Sequence, residues 1–224
     1  MKYRIKFSKF GKMRFIGHLD LLNLFQRAIK RADIPISYSK GFNPHQLISF
    51  AIPLPIGMNG YGEYADLNIK DEIEPEYIIK KLNNVMPEGI CIINARILDN
   101  NEKNCAAALC AADYETDLNY IKKDFNKTIE SILFQKEINL EKKGRKKVRI
   151  VDIRPLIYDI KVSDTENRKL KFLIATGSKE NLKPDLLLEY ICKLLDVEYI
   201  PYKVNISRNE LYRNENNKFV NLFL

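Results

Sequence analysis

The chain has 224 residues, of which 46% are hydrophobic and 29% are charged, a composition typical of folded globular proteins. It contains no apolar run of the roughly 20 residues that a membrane-spanning helix needs, and its first residues lack the apolar core of a signal peptide. We therefore expect a cytoplasmic protein without a membrane partner.

Charge is distributed unevenly along the chain. Residues 1–48 contain ten Lys or Arg and two Asp or Glu, whereas the remaining residues contain equal numbers of each sign, so the net charge of +8 lies in the first segment. Such a concentration favours a polyanionic partner, nucleic acid first and an acidic protein surface second, with a solvated surface as the alternative. A secondary basic patch is predicted at Lys142, Lys143, Arg145, Lys146, Lys147 and Arg149.

Residues 1–98 predict a small α+β domain. Apolar and polar residues alternate from residue 2 to residue 8, which predicts a strand with Arg4 and Lys6 on its wet face. Helices are predicted over His18–Ala32, from the spacing of apolar residues, and from Glu74 to about Val85. Further strands are predicted over 36–39, 47–52 and 90–98. This β-α-β-β-α-β order is that of a ferredoxin-like domain, whose helices cover one sheet face and leave the other open.

The loop 38–57 of this domain holds three prolines and two glycines. Gly41 and Asn43 tolerate positive φ, and Pro44 restricts both its own φ and the backbone of Asn43. The segment is therefore predicted to be a rigid turn carried on strands. Small folds commonly carry their functional residues in such loops.

The second half of the chain is predicted to repeat the same order of elements. Residues 99–110 begin with a polar run and are expected to be a linker. Residues 111–210 form the second domain, with a basic insertion over 136–155, and residues 211–224 form a tail. The predicted fold class is α+β, with two tandem ferredoxin-like domains built from antiparallel sheets with helices on one face.

The four cysteines do not have the spacing of a metal or cluster site. Cys91 and Cys192 lie in apolar runs, and Cys105 and Cys110 are separated by four residues without a nearby histidine. Zinc and iron–sulfur sites use closely spaced sets of ligands. We predict neither a metal nor a cofactor bound by this chain.

Three strings of residues carry a resemblance to a known family: RFIGHLD (14–20), YSKGFNPH (38–45) and ISFAIPLPIG (48–57), with a weaker fourth, VDIRPL (151–156). In order and spacing they resemble the radical SAM-linked protein family defined by the domain of unknown function DUF2344. The chain departs from the family at Gln46 and Leu47, where the family often has proline followed by a basic residue.

The resemblance implies a partner more than a reaction. Members are typically encoded beside, or fused to, a radical SAM protein that often carries a cobalamin-binding region. The partner is therefore expected to hold an iron–sulfur cluster, SAM and, where that region is present, cobalamin. This chain lacks the three closely spaced cysteines of a radical SAM enzyme and any complete catalytic motif, which favours a non-enzymatic role.

Candidate functional residues surround the start of the first helix and the loop. Aromatic residues interleaved with basic ones on an open sheet commonly hold single-stranded RNA. For catalysis, His18 and His45 are candidates as general acid and base, with Lys40 or Arg14 stabilising a charged transition state. Alternatively, His18 fixes the helix start and His45 hydrogen-bonds across its loop. The residues expected to contact RNA or a protein partner are Arg4, Lys6, Lys12, Arg14, His18, Asp20, Tyr38, Lys40, Phe42, Asn43 and His45.

The preferred hypothesis is an accessory RNA-binding protein that works with a separate radical SAM enzyme in tRNA or rRNA modification or processing. Two alternatives stay open. One is a protein-interaction scaffold for that enzyme without RNA contact. The other is a metal-independent RNA endonuclease that uses His18 and His45, similar in outline to the ferredoxin-like RNA-processing proteins of CRISPR systems.

Overall fold

The computed structural model describes residues 1–143, 148–164 and 168–224, and of residues 142, 143, 148 and 149 it describes the backbone alone. The chain divides into two compact units, one made of Met1–Leu109 with Ser207–Leu224 and one made of Cys110–Ile206. This division differs from the predicted one, because the residues expected to form a tail belong to the first unit.

The first unit begins with a β-α-β-β-α-β run. β1 lies between β3 and β4, and β2 pairs with the other edge of β3, with every pairing antiparallel. The elements are β1 (Lys2–Lys9), α1 (His18–Arg31), β2 (Ile48–Phe50), β3 (Asn59–Asn68), α2 (Pro75–Asn83), β4 (Ile90–Ile97) and α3 (Cys105–Ala108).

The core of the first unit lies between this sheet and helices α1 and α2. The predicted apolar face of α1 is buried, and Phe25 meets Phe7 of β1 with their ring centroids 5.0 Å apart. Tyr3 and Ile5 of β1 are fully buried on the same face. Because these side chains recur at helical and strand spacing, the local sequence determines which face each element buries.

Two predicted strands of the first unit are shorter than expected. In place of the strand predicted over 36–39, Ile36 forms an isolated bridge to Ile69 and Tyr38 forms one to Gln46. The strand predicted over 47–52 is reduced to the three residues of β2, and the longest strand of this run is β3. Pro53 limits β2, since a prolyl nitrogen cannot donate to a sheet ladder.

The second unit contains a three-stranded antiparallel sheet and a separate hairpin. β9 lies between β5 and β8, and β6 pairs with β7. Its order therefore differs from the predicted repeat, because part of the basic insertion forms a hairpin of its own. The elements are β5 (Leu109–Asp117), α4 (Asn126–Phe134), β6 (Asn139–Lys143), β7 (Val148–Asp152), β8 (Ile157–Asp164), β9 (Lys169–Ala175) and α5 (Pro184–Leu194).

The chain then returns to the first unit. β10 (Ile206–Glu215) pairs in parallel with β3 at Ser207 and Arg208, and antiparallel with β11 (Lys218–Asn221). Before it, Pro201–Lys203 form a single 3-10 turn, and β10 begins at Ile206. Strands β3 and β10 approach so closely at Gly62 that a Cβ atom there would collide with the backbone carbonyl of Asn209.

The structure confirms the α+β class, while the assignment of two tandem ferredoxin-like domains stays a prediction. In the part of the chain that the structure describes, the helices are too short or too polar to cross a bilayer.

Candidate functional site

The loop 38–46 is closed by hydrogen bonds across its base. The Ser39 amide donates to the His45 carbonyl at 2.9 Å, next to the bridge between Tyr38 and Gln46. At the tip, Gly41 has φ of 116°, a conformation that glycine adopts without steric cost. The loop is therefore a defined turn, as its Gly and Pro content predicts.

His45 is tied to this turn through Ser39. The Ser39 Oγ and His45 Nδ1 atoms lie 2.9 Å apart, and the His45 amide donates to the same Oγ at 3.0 Å. These contacts leave the Nε2 atom of the exposed imidazole available to a ligand. They agree with the non-catalytic alternative for His45, in which it hydrogen-bonds across its own loop.

The tip of the loop presents an aromatic ring to solvent. Phe42 is fully exposed, and Tyr38 is about half exposed (47%). Lys40 and Asn43, on either side of Phe42, are exposed as well. An exposed ring of this size has no packing role within the chain and is free to stack on a ligand.

Gln46 holds the loop against α1. Its buried side chain donates from Nε2 to the Gln26 carbonyl at 3.2 Å. Gln46, at the position where the family often has proline, is thus a structural anchor in this chain.

His18 lies at the other end of α1. Its ring meets the edge of Phe50 at a centroid distance of 5.6 Å. Gln26, where the loop is anchored, follows eight residues later, which corresponds to about 12 Å along a helix. An acid–base pair requires both groups within hydrogen-bond reach of the reacting atoms, and the catalytic pairing of His18 with His45 stays a prediction.

The start of α1 brings two of the sequence strings together. The Arg14 carbonyl accepts a hydrogen bond from the Gly57 amide at 2.9 Å, and the Arg14 guanidinium lies 4.7 Å from the Phe15 ring centroid. Lys12 and Asp20, which are close to Arg14 in sequence, are exposed to solvent. Phe15, Leu19 and Ile56 leave an apolar surface around this start, with 58%, 71% and 68% of their surface exposed.

Arg4 does not lie on an open face, and that prediction is wrong. It is fully buried; its Nε and Nη2 atoms contact the two Asp66 carboxylate oxygens at 2.8 and 3.1 Å. Its Nη1 atom donates to the Leu222 carbonyl at 2.8 Å and to Glu102 at 3.0 Å. The C-terminal residues thus cover the sheet face that the strand pattern alone left exposed.

Lys6 on the same strand is also engaged. Its ammonium group lies 2.6 Å from Glu210 of β10, whose other carboxylate oxygen accepts from the Tyr64 hydroxyl at 2.6 Å. Neither Arg4 nor Lys6 is therefore free to contact RNA.

Burial and ion pairing shift the pKa values around Arg4. Burial alone would lower the pKa of Arg4, but the hydrogen bond and charge of Asp66 outweigh it, and the pKa is raised. The hydrogen bond from Arg96 lowers the pKa of Glu102. Burial raises the pKa of the Cys105 thiol to about 12, so this cysteine is not a nucleophile at neutral pH.

A second buried charge cluster lies at the opposite end of β1. Arg208 donates from Nε and Nη2 to the two oxygens of Glu63, at 2.8 and 2.6 Å. The Lys9 ammonium, in a side chain that is 1% exposed, donates to the Ile16 carbonyl at 2.8 Å, just before α1 begins. This hydrogen bond ties β1 to the start of α1.

The secondary basic patch falls largely outside the described residues. Arg145, Lys146 and Lys147 lie outside them, and for Lys142, Lys143 and Arg149 the backbone alone is described. Across the described ranges, no three His, Cys, Asp or Glu side chains are grouped so as to hold a metal ion.

The family model described as "Uncharacterized protein conserved in bacteria (DUF2344)" matches residues 2–184. The chain belongs to the DUF2344 family. The family part of the resemblance is thereby confirmed, and the association with radical SAM proteins stays a prediction. No curated protein matches this DUF2344 chain.

Among solved structures, the chain is similar to one titled "Crystal Structure of a Cbf5-Nop10-Gar1 Complex", with 13% sequence identity and a TM-score of 0.52. The similarity covers 96% of this chain and 50% of the other, so this DUF2344 protein spans half the length of the solved chain. At this identity the similarity shows the fold alone, and it agrees with the α+β class.

The buried charges have a signal in the sequence of β3. Glu63 and Asp66 stand inside an otherwise apolar strand, where an ionised carboxylate is costly unless it is paired. The strand pattern therefore indicates that partners exist. Their identity, Arg208 and Arg4, depends on contacts 145 and 62 residues apart in sequence.

We expect Lys9 to make stability depend on pH in the alkaline range. Burial, and secondarily the charge of Arg208, lower its pKa below 10.5. Between the lowered pKa and 10.5 the unfolded chain binds more protons than the folded one, so stability rises with pH in this window. Above 10.5 Lys9 is neutral in both states, and the cost of burying its charge is gone. The stability of the wild type minus that of Lys9→Met should therefore increase through this window, as measured by urea unfolding at several pH values.

The exposed Lys30→Met substitution on α1 is the matched control for loss of one lysine. Parallel pH profiles for the wild type and Lys9→Met would contradict the assignment.

Proposed function

We propose that this protein is a cytoplasmic accessory RNA-binding protein that works with a separate radical SAM enzyme in tRNA or rRNA modification or processing. The observation that carries the RNA part is the fully exposed Phe42, held at the tip of a closed turn beside Lys40. The radical SAM part is supported by the family resemblance.

The loop has the chemistry of a single-strand binder. Aromatic rings stack on unpaired bases with little sequence preference, and neighbouring cations contact the phosphates. Phe42 and Tyr38 supply rings, while Lys40, Asn43 and His45 supply a cation and hydrogen-bonding groups. Hydrogen bonds at the loop base reduce the entropy that would be lost when an RNA ligand orders the loop.

RNA binding should depend on the tip of the loop. With a fluorescein-labelled, unstructured oligoribonucleotide at low salt, Phe42→Ala should weaken binding about tenfold or more, because one stacked base contributes roughly 1–3 kcal/mol. Lys40→Ala should reduce the slope of log affinity against log salt by about one. Fluorescence anisotropy measures both effects.

Phe134→Ala is the matched control, since Phe134 is an exposed phenylalanine of the second unit (87%), and it should bind RNA like the wild type. If wild-type protein does not bind the oligonucleotide at low salt, or if Phe42→Ala binds as tightly as wild type, the proposal is wrong.

A further inference from the structure

A groove of about 530 Å³ runs along α1 in the first unit. Its apolar lining comes from Leu24 of α1 together with Met13, Ile16, Val85 and Pro87. A groove of this size with an apolar floor and charged ends fits a side chain with charged neighbours on both sides.

The charges of the groove have a fixed order along α1. Asp20 lies at one end and Arg27 seven residues later, with Asn23 and Leu24 between them. Arg31, one turn further on, also lines the groove, and its guanidinium donates to the Val85 carbonyl at 3.0 Å. Seven residues are two helical turns, so Asp20 and Arg27 lie on one face about 10 Å apart. Across the described ranges, neither side chain has a hydrogen-bond or ion-pair partner in the chain.

Helix α2 carries the complementary order on its own surface. Glu74, at the N-cap, is followed by Tyr77 and Lys81 at the third and seventh positions, which places all three on one helical stripe. Tyr77 is 43% exposed, and its ring centroid lies 5.2 Å from the Lys81 ammonium. No hydrogen-bond donor or cation within the described residues pairs with the Glu74 carboxylate.

We propose that the groove of one copy of this chain receives the α2 stripe of a second copy. Laid antiparallel, the two stripes match at three positions: Glu74 on Arg27, Tyr77 over Leu24, and Lys81 on Asp20. The carboxylate–guanidinium and ammonium–carboxylate pairs have the same spacing on both helices, about 10 Å.

The two charge pairs set the orientation and Tyr77 supplies the burial. Exposed ion pairs contribute little affinity on their own, whereas a tyrosine that fills an apolar pocket is a typical centre of an interface. Because each copy carries both a groove and a stripe, a two-fold axis lets both contacts form at once and closes the assembly as a dimer.

Charge swaps that keep the net charge constant test this dimer. The groove variant Asp20→Lys/Arg27→Glu and the stripe variant Glu74→Lys/Lys81→Glu should each raise the dimer dissociation constant about tenfold or more, since like charges then face each other. The quadruple variant pairs them again and should recover the dimer. Sedimentation velocity over micromolar to millimolar concentrations measures the mass, and circular dichroism shows that each variant is folded.

Tyr77→Ala, which changes no charge, should also weaken the dimer. The matched control is Asp159→Lys/Lys161→Glu, a net-neutral swap of an exposed pair on β8, which should dimerise like the wild type. The proposal is overturned by a monomeric wild type across the whole range, by swap variants that dimerise unchanged, or by a folded quadruple variant that stays monomeric.

Discussion

Arg4→Met is expected to lower the free energy of unfolding of the first unit by about 3–5 kcal/mol, the usual cost of removing one partner of a buried ion pair. Arg4 is fully buried and joins Asp66, Glu102 and the Leu222 carbonyl. Without it, Asp66 keeps the Cys105 amide at 2.7 Å as a donor, but its charge is no longer balanced. Urea unfolding and hydrogen exchange of the β1 and β3 amides measure the loss for the first unit alone.

Two variants make the Arg4 experiment specific. Lys2→Met removes an exposed cation from the same strand and should change stability by less than about 0.5 kcal/mol. Arg4→Met/Asp66→Leu removes both charges and should be more stable than Arg4→Met, because no unpaired carboxylate is left buried there. An Arg4→Met protein as stable as Lys2→Met would show that the buried pair contributes little.

Deleting residues 207–224 is expected to unfold the first unit. The deletion removes Arg208, which leaves Glu63 buried without its partner at a cost of about 3–5 kcal/mol. It also removes the fully buried Leu211 and Leu222, each worth about 1.5–3 kcal/mol of apolar burial. The sum equals or exceeds the lower part of the range of about 5–15 kcal/mol that stabilises a natural domain.

Hydrogen exchange of the β1 and β3 amides reports the result, which should be loss of protection in the first unit. Arg208→Met alone should give a smaller loss, and Glu215→Gln, at an exposed position on the same strand, should be neutral. A truncated protein whose β1 amides stay protected would contradict the role given to the C-terminal strands.

The parts of the fold that were predicted depend on local pattern. The apolar face of α1 follows from the four-residue spacing of Leu21, Phe25 and Ile29, which a helix places on one side whatever lies elsewhere. The closed turn around Gly41 follows from the backbone preferences of glycine and of the Asn43–Pro44 pair. The exposed Phe42 and Lys40 follow from that turn.

What was not predicted depends on residues that are distant in sequence. The alternation in β1 identifies two faces but not what covers the second one, and that cover is supplied by residues such as Leu222, 218 positions away. The position of the loop 38–46 on α1 likewise depends on the hydrogen bond from Gln46 to the Gln26 carbonyl, a contact that no residue pattern specifies. The groove on α1 requires the turn at Val85 to be placed beside the helix.

The first unit is completed by strands that follow the second unit in sequence and are therefore synthesised after it. At translation rates of about 5–20 residues per second, the stretch from Cys110 to Leu224 takes on the order of ten seconds to synthesise. During that time Arg4, Glu63 and Asp66 belong to a nascent chain whose C-terminal strands do not yet exist. We expect their charges to keep β1 and β3 hydrated until β10 and β11 are synthesised, so that the residues that stabilise the finished unit also limit aggregation of the nascent chain.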